Sequence, residues 1–585
     1  MPRELTDKQK RIALEKSGIF TVVACPGSGK TYTVAARLAR LLREWQCRYR
    51  GICTISFTNV AWREIEGYLR TDFGVKAPLS YPHFLGTIDS FVNRFIFLPF
   101  GHLAMGCPRR PELIGPPHND TEPVAAWTPW QHGECNRYQC KLNSFTFDIN
   151  GDLVHFGPQS HFAGCSLRHQ PCRDKKKQVT RLGYATQTDA NYFGLRLLQE
   201  FPSIVKALVR RFPLVMVDEA QDTSAIQMQV LDLLVAAGLK QLMLVGDPNQ
   251  AIFEWRDAEP GLLVAKQQQW KANSEILDEN WRSTQALCDF ASKLTNGSQR
   301  MRAMNPAHLS WASRPQIWAY AQDSELPNLF SRFLDECNSL NIPAADIAVL
   351  TRGQDFLNTV VPGLHVSTRL SPWQDDDFLT RGLAQSKFLY DRGKGRDASR
   401  CLETQICRHL NNGKYCGKER RDQMIKSMGF VKWRSCLHAV LRALPNTDLP
   451  LGQWVQAASE SLQRFRSFNG VKVGIKKDGK YVYSTLGLDC LFSGEALHTN
   501  EDNPHEYGTV HSVKGRSFDA VILFLKSKGS SGPGYPNLLN RPLIEEEEKR
   551  ILYVAVTRPR KHLVLVVPQE HERSWREWSA GVCHE

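Results

Sequence analysis

The chain has 585 residues, too many for one hydrophobic core, so several domains are expected. Its 42% hydrophobic and 23% charged residues are ordinary for a globular protein. No apolar run approaches the roughly 20 residues of a membrane span, and the N-terminus lacks the apolar core of a signal peptide. We therefore expect a cytoplasmic protein with no membrane association. The net charge of +14 favours a polyanionic partner such as nucleic acid.

Short apolar runs alternate with amphipathic helical patterns along most of the chain, as in parallel βαβ units. Strands are predicted at Phe20–Ala24, Ile52–Phe57, Leu214–Val217, Leu242–Val245, Ile347–Leu350, Val521–Phe524 and Leu563–Val567. Two stretches of different composition interrupt this pattern. The sequence therefore predicts an α/β fold with two cores, each carrying a mainly helical insertion. The predicted boundaries are 1–92 with 202–280 for the first core, 93–201 for its insertion, 281–371 with 501–585 for the second core and 372–500 for its insertion.

The strongest motif follows the first predicted strand and opens a predicted helix over Tyr32–Leu42. It is Ala24-Cys25-Pro26-Gly27-Ser28-Gly29-Lys30-Thr31. A strand, a glycine-rich loop and a helix in this order form a phosphate-binding loop, because backbone N–H groups and the helix N-terminus turn toward the phosphates. Lys30 is predicted to reach the β- and γ-phosphates of ATP and Thr31 to hold Mg²⁺. The alternative is an ordinary glycine-rich turn, which this context disfavours.

Two further strand ends carry polar groups. The strand Leu214–Val217 ends in Asp218 and Glu219, at the sheet edge where the phosphate loop also lies. Asp218 is predicted to bind Mg²⁺, and Glu219 to orient and deprotonate the attacking water. After the strand Leu242–Val245, Gln250 is placed to sense the γ-phosphate. Each motif alone could be a solvated turn, but the three together indicate nucleotide hydrolysis.

With these motifs in place, the sequence resembles the UvrD/Rep family of superfamily 1 helicases over about half of its length. The matching segments are Leu5-Thr6-Asp7-Lys8-Gln9, Ser56-Phe57-Thr58-Asn59, Gly86-Thr87-Ile88-Asp89-Ser90-Phe91, Asp218-Glu219-Ala220-Gln221-Asp222, Gly246 to Arg256, Glu279-Asn280-Trp281-Arg282-Ser283-Thr284, Val510-His511-Ser512-Val513-Lys514-Gly515 and Leu552 to Arg558. The resemblance implies two RecA-like cores with ATP between them. It also implies a DNA helicase that moves along single-stranded DNA, 3′ to 5′, and acts at junctions with duplex DNA.

The resemblance also assigns roles to individual residues. Arg282 and Arg558 are expected to reach from the second core and neutralise charge on the transferring phosphoryl group. Adenine contacts are expected from Gln9, Tyr32 and Trp281, and phosphate contacts from the loop residues Cys25, Pro26, Gly27, Ser28 and Gly29. Bases are expected to stack on Phe57, Phe253 and Trp255. Further strand contacts are expected from Thr58, Asn59, Thr87, Arg256, Arg352 and His511, residue types that more often cap helices or face solvent.

Three residues depart from the family pattern and leave nucleotide selectivity open. Tyr32 stands where arginine is frequent, Trp281 where tyrosine is usual, and Ser517 where a glutamate commonly contacts the ribose. The chain is also compact and shows no nuclease motif. In these respects it resembles the helicase subunit of anti-phage systems of the Gabija type, which implies an OLD-family nuclease partner. Two other functions stay open: a protein-displacing translocase that does not unwind DNA by itself, and a nucleotide-switched regulatory subunit of a nuclease.

The insertions contain clusters whose roles the sequence leaves open. The first has a basic cluster, Arg173, Lys175, Lys176 and Lys177, and scattered Cys135, Cys140, Cys165 and Cys172 with His132, His161 and His169. The cysteine spacings are not those of common zinc sites, so ordinary cysteines are expected. The second has a basic segment over Lys387–Arg434, for which a solvated face and a duplex or partner surface are both open.

Overall fold

In the computed structural model, helices and parallel strands alternate along most of the chain. The described residues are 4–75, 79, 81–115, 145–155, 170–252, 259–297, 299–309, 311, 313–361, 372–373, 378–393, 395–411, 416, 418–468, 473–477, 483–492, 505–526, 534 and 536–580. The chain divides into two compact units, 1–364 with 504–585, and 365–503. Several predicted residues lie outside the described ones: Phe253, Trp255, Arg256, Cys135, Cys140, Cys165, His132, His161, His169 and the side chain of Cys172.

The first sheet has six parallel strands in the order β6-β1-β5-β4-β2-β3. They are β1 Ile19–Ala24, β2 Ile52–Ser56, β3 Phe84–Thr87, β4 Leu214–Asp218, β5 Gln241–Gly246 and β6 Glu275–Leu277. Alternate side chains enter two apolar cores. Phe20 and Met216 join one core with Leu38 of the helix Lys30–Glu44, while Val215 and Val217 join the other. Burial on both faces explains why the central strands are continuous apolar runs.

The second sheet has five parallel strands in the order β7-β11-β10-β8-β9. They are β7 Gln316–Tyr320, β8 Ile347–Thr351, β9 Glu506–Thr509, β10 Phe518–Phe524 and β11 Pro559–Pro568. Its core reaches Cys25 and Ile252 of the first sheet's loops, so the two sheets belong to one unit. Parallel sheets flanked by helices confirm the predicted α/β fold.

Helices cover both sheets. In the first unit they are Asp7–Lys10, Lys30–Glu44, Asn59–Thr71, Ile88–Val92, Leu98–Met105, Gln170–Arg181, Gln187–Glu200, Pro202–Arg211, Ala225–Ala236, Pro260–Gln269, Gln285–Leu294, Pro306–Leu309, Leu326–Ser339, Gln354–Val360, Glu547–Val556 and Glu572–Ala580, with π-helical turns at Arg11–Glu15 and Asn93–Phe97. Short strand pairs join 112–113 with 184–185, 145–147 with 153–155, and 279–280 with 302–303. Within the described residues, no helix has both the length and the apolar character that crossing a membrane requires.

The second unit is built from helices around its own apolar core. These helices are Phe378–Asp391, Gly395–Leu410, Lys418–Met428, Phe430–Ala443, Leu451–Leu462 and Leu488–Phe492. Trp433 and Trp454 are buried at its centre. The predicted insertion 372–500 falls inside this unit.

The basic cluster of the first insertion contains one lysine that is not on the surface. Lys176 is 3% exposed, and its Nζ lies 2.7 Å from Oδ2 of Asp189, which is equally buried. The same carboxylate oxygen accepts a hydrogen bond from the backbone N–H of Thr186, which caps the helix Gln187–Glu200. Lys176 therefore ties the helix Gln170–Arg181 to its neighbour and is not available to a partner, whereas Lys177 is exposed.

Replacing Lys176 by Met should lower the free energy of unfolding by about 3 kcal/mol, because it leaves a buried carboxylate without its cation. Urea unfolding followed by tryptophan fluorescence measures the change. Lys177→Met, on the same helix, is the matched control and should have almost no effect. Equal unfolding curves for the two variants would show that the buried pair does not stabilise the fold.

Candidate active site

The phosphate-binding loop connects β1 to the helix Lys30–Glu44 in a glycine-dependent conformation. Gly27 and Gly29 have φ angles of 71° and 73°, in the left-handed region that favours glycine. A Cβ atom at Gly27 would lie 2.6 Å from Cβ of Arg282, so a side chain does not fit there. The carbonyl of Gly27 accepts a hydrogen bond from the backbone N–H of Trp281 at 2.9 Å. The loop therefore directly contacts the segment that carries Arg282. Other predicted loop residues, Cys25, Pro26 and Ser28, are buried.

Lys30 and Thr31 meet the carboxylates at the end of β4. Nζ of Lys30 lies 3.3 Å from Oε1 of Glu219, and Oγ1 of Thr31 donates to Oδ2 of Asp218 at 3.1 Å. Burial lowers the pKa of Lys30, but Glu219 and the other nearby carboxylates outweigh burial and raise it. Lys30 therefore keeps its positive charge at the start of the helix, as the binding of β- and γ-phosphates requires.

Asp218 has the properties of a ligand for a hard cation. Its side chain is fully buried, and among the described residues its Oδ1 has no hydrogen-bond partner. Burial, and next the charge of Glu219, raise the pKa of Asp218 to about 7. A divalent cation would use the unpartnered oxygen and remove the cost of burying the charge. Asp218 and Thr31 therefore fit the Mg²⁺ that accompanies ATP.

Glu219 is ionised and held in an unusual backbone conformation. Its φ is 55°, the left-handed region, which costs roughly 1–2 kcal/mol for a residue other than glycine. Burial raises its pKa, but Lys30 and Lys514 outweigh burial and lower the pKa of Glu219 to about 2. The side-chain amide of Gln221 donates to the carboxylate. Glu219 can therefore accept a hydrogen bond from a water molecule beside the phosphate loop.

Gln250 lies where the two sheets meet. Its Nε2 donates to Oδ2 of Asp247 at 2.7 Å, and its Oε1 accepts from Nη2 of Arg558 at 3.1 Å. Asp247 is also buried, which raises the pKa of Asp247 to about 6. The γ-phosphate sensor predicted from the sequence thus contacts one of the predicted arginines directly.

The two predicted arginines lie close together. Nη1 of Arg282 donates to the carbonyl of Thr557 at 2.9 Å, next to Arg558. Burial, and then the charge of Arg282, lower the pKa of Arg558 to about 9. Two adjacent guanidinium groups repel each other in a buried site, and a bound polyphosphate would turn this repulsion into attraction. This arrangement fits a phosphoryl group between the sheets.

One further cross-sheet ion pair was not predicted. Nζ of Lys514 lies 2.7 Å from Oδ2 of Asp222, which is 1% exposed. Burial raises the pKa of Asp222 to about 6, although Lys514 opposes this shift. Both residues belong to segments that match the family, and their place in those segments is the only signal in the sequence that points to them. The pair adds a second link between the acidic and the basic side of the site.

The residues predicted to contact adenine have different environments. Gln9 is 5% exposed, and its Nε2 donates to the carbonyl of Ser28 at 2.9 Å. Tyr32 is 7% exposed and packs edge-on against Tyr68. Trp281 is 37% exposed, so its ring is the accessible one for stacking. Tyr32 is buried and Trp281 is exposed, so the two rings do not form a pair of accessible surfaces between which adenine could stack.

The predicted strand contacts lie at the carboxyl edges of both sheets. Thr58 and Thr87 follow or end the neighbouring strands β2 and β3, and both cap helices: Oγ1 of Thr58 accepts from the N–H of Ala61, and Oγ1 of Thr87 from that of Ser90. Phe57 is half-buried and Asn59 is exposed.

In the second sheet, Arg352 and His511 follow the neighbouring strands β8 and β9. The guanidinium of Arg352 forms a paired contact with the carboxylate of Glu548, at 2.8–3.0 Å. Burial, and next Arg352, lower the pKa of His511. Each sheet thus brings its own pair of predicted strand contacts to one edge, and in the second sheet Arg352 is already paired with the carboxylate of Glu548.

Comparison with known proteins connects this geometry to a family. Residues 5–104 and 173–271 match the UvrD/REP helicase N-terminal domain, and residues 493–570 match the UvrD-like helicase C-terminal domain. DNA helicase II of Haemophilus influenzae is 26% identical over 96% of this chain and 83% of its own length. A probable DNA helicase II homolog of Rickettsia conorii is 22% identical over 96% and 92%. The ATP-dependent DNA helicase PcrA of Staphylococcus aureus is 24% identical over 51% of this chain and 40% of its own length.

The two matched domains contain the phosphate loop, both carboxylates of β4, Gln250, Lys514 and Arg558. The chain therefore belongs to the UvrD/REP helicase family, which confirms the resemblance and the predicted activity of an ATP-dependent DNA helicase.

Proposed function

We propose that the chain moves along single-stranded DNA in the 3′-to-5′ direction and separates strands at junctions with duplex DNA. One observation carries the proposal: the acids and Lys30 lie at one edge of the first sheet, whereas Arg558 immediately precedes a strand of the second sheet and contacts Gln250 of the first. Arg282 donates to Thr557, the residue before Arg558. Such a site is complete only when the cores close. Closure and reopening then couple hydrolysis to movement.

Each residue has a role that follows from its chemistry. ATP with Mg²⁺ supplies the phosphoryl group and its charge neutralisation, and Lys30, Thr31 and Asp218 would hold them. Glu219 orients water through its ionised carboxylate. Arg282 and Arg558 stabilise negative charge that develops during transfer. Removal of the γ-phosphate weakens the attraction between the cores and lets them reopen.

The direction and the strand contacts rest on the family resemblance and on the sheet edges. Thr58 and Thr87 on the first core, with Arg352 and His511 on the second, support a track across the carboxyl edges of both sheets. A track that spans both cores changes length when they close, as translocation requires. Phe253 and Trp255 stay predicted base contacts. An OLD-family nuclease partner and an anti-phage role stay hypotheses, which copurification of a nuclease would support.

Glu219→Gln should lower ssDNA-stimulated ATP turnover by at least about a hundredfold, because the amide cannot take a proton from water. ATP binding should persist in this variant and fall in Lys30→Ala. Steady-state ATPase assays and fluorescent-nucleotide binding measure the two effects. Glu66→Gln is a control for the surface of the first core. ATP turnover at the parental rate in either site variant would overturn the assignment.

The Mg²⁺ requirement should depend on pH through Asp218. Its pKa is about 7, so below that pH the cation must displace a proton, and the Mg²⁺ concentration for half-maximal ATP binding should rise by about tenfold per pH unit. Above pH 7 it should level off. The same titration on Asp218→Asn isolates the effect, because the protonation of ATP itself is common to both proteins. Identical pH profiles would contradict a role for Asp218.

Strand polarity gives a direct test of the direction. Duplex DNA with a 3′ single-stranded tail should be unwound in the presence of ATP and Mg²⁺, whereas the same duplex with a 5′ tail should not. Unwinding from the 5′ tail alone would reverse the proposed direction. ATPase stimulation by single-stranded DNA without strand separation on either substrate would favour the protein-displacing translocase.

A further inference from the structure

The loop after β5 connects the nucleotide site to the predicted strand contacts. This sensor loop, residues 247–252, contains Asp247 and Gln250 and precedes the predicted strand contacts at 253–256 in the sequence. The second core contacts three consecutive residues of this loop. Gln299 accepts from Nδ2 of Asn249 at 2.6 Å, Arg558 donates to Oε1 of Gln250 at 3.1 Å, and Nε of Arg550 donates to the carbonyl of Ala251 at 2.6 Å. Any movement of the second core therefore acts on this loop.

Arg550 and Arg558 donate to the loop, whereas Gln299 accepts, and its side-chain oxygen accepts from two donors at once. The same Oε1 atom that accepts from Asn249 also accepts from the hydroxyl of Tyr553, at 3.1 Å. Tyr553 is fully buried, and burial raises its pKa well above the usual value, so the hydroxyl keeps the proton that it donates. Tyr553 lies on the helix Glu547–Val556, which leads directly to Arg558. One amide oxygen thus joins the sensor loop to the helix that positions the arginine.

Gln299 is fixed to the second core by contacts of its own turn. Its backbone N–H donates to Oγ1 of Thr295 at 3.2 Å, at the end of the helix Gln285–Leu294. Asn296, in the same turn, has a left-handed φ of 52° and accepts from Nζ of Lys549 at 3.4 Å. Lys549 and Tyr553 are one turn apart on the same helix, so that helix holds the turn of Gln299 at two points. Gln299 therefore moves with the second core.

We propose that Gln299 is a positioning residue that transmits closure of the second core to the loop of Gln250 and to the strand contacts beyond it. The inference rests on the proposed function, because it needs a motor whose cores close. Gln299 contacts no predicted catalytic group directly, and Asn249 stands between it and Gln250. Gln299 links two things: the position of Arg558 and the response of the sensor loop to DNA. A change in one therefore changes the other.

The role predicts a specific kinetic defect. Gln299→Leu keeps the approximate size of the side chain and removes the acceptor. DNA stimulation of kcat should then fall on the order of tenfold, because two hydrogen bonds are lost and their donors are left unsatisfied. ATP affinity without DNA should stay at the parental value, whereas the melting temperature should fall modestly, because the buried hydroxyl of Tyr553 loses its acceptor. Gln299→Glu should retain stimulation, because a carboxylate oxygen accepts from both Asn249 and Tyr553. Gln322→Leu, at an exposed glutamine of the same core, is the matched control.

A double-mutant cycle tests the contact itself. Asn249→Ala alone should lower DNA stimulation, and combining it with Gln299→Leu should add little, because both remove the same link. Additive defects would overturn the inference. It would also be overturned if Gln299→Leu lowered ATP affinity without DNA by as large a factor as it lowered stimulation, or if its stimulation equalled that of the parent. A parent protein without any DNA stimulation would overturn the proposed function and the inference together.

Discussion

Much of the site depends on cations of the second core reaching buried polar groups of the first. Arg558 contacts Gln250, and Lys514 contacts Asp222, at positions where burial would otherwise disfavour each charge. The first core supplies the carboxylates and Lys30, whereas Lys514 and Arg558 come from segments beside the second sheet. The proposed catalytic arrangement therefore exists only where the sheets meet, because separation of the cores would take Lys514 away from Asp222 and Arg558 away from Gln250. The proposed coupling of hydrolysis to motion rests on these contacts between the two cores.

The strands that the sequence predicted and those that it did not differ in one physical property. Every predicted strand pairs with a neighbouring strand on both sides, including Ile347–Leu350, which lies between β10 and β9. Within these two sheets, the four strands that were not predicted are the edge strands, Phe84–Thr87, Glu275–Leu277, Gln316–Tyr320 and Glu506–Thr509. Edge strands are short and partly solvated, so they lack the continuous apolar run that marks a central parallel strand.

The same distinction applies to the site. Lys30, Asp218, Glu219 and Gln250 follow strands at fixed spacing, so local sequence indicates both their location and their chemistry. Whether the ring of Tyr32 is accessible depends on Tyr68 and Phe73, which pack against it from a later helix and the turn after it. Lys514 meets a partner 292 residues away and Gln299 one that is 254 residues away. No local pattern encodes those distances, and only the packing of the two sheets reveals them.

The helix Glu547–Val556 shows how the position of the second core is specified. Lys549 is fully buried, and its Nζ donates to the carbonyls of Leu539 and Arg541, while burial lowers the pKa of Lys549 to about 8. Arg550 is also fully buried and donates to Ala251 and Ile544. Buried cations stabilise a fold less than apolar side chains of equal size would. Their directional hydrogen bonds instead fix the rotation of the helix, because a turn of the helix about its axis would leave charged groups unsatisfied. Since Tyr553 and Arg558 follow on the same segment, that fixed rotation sets where the second core meets the sensor loop.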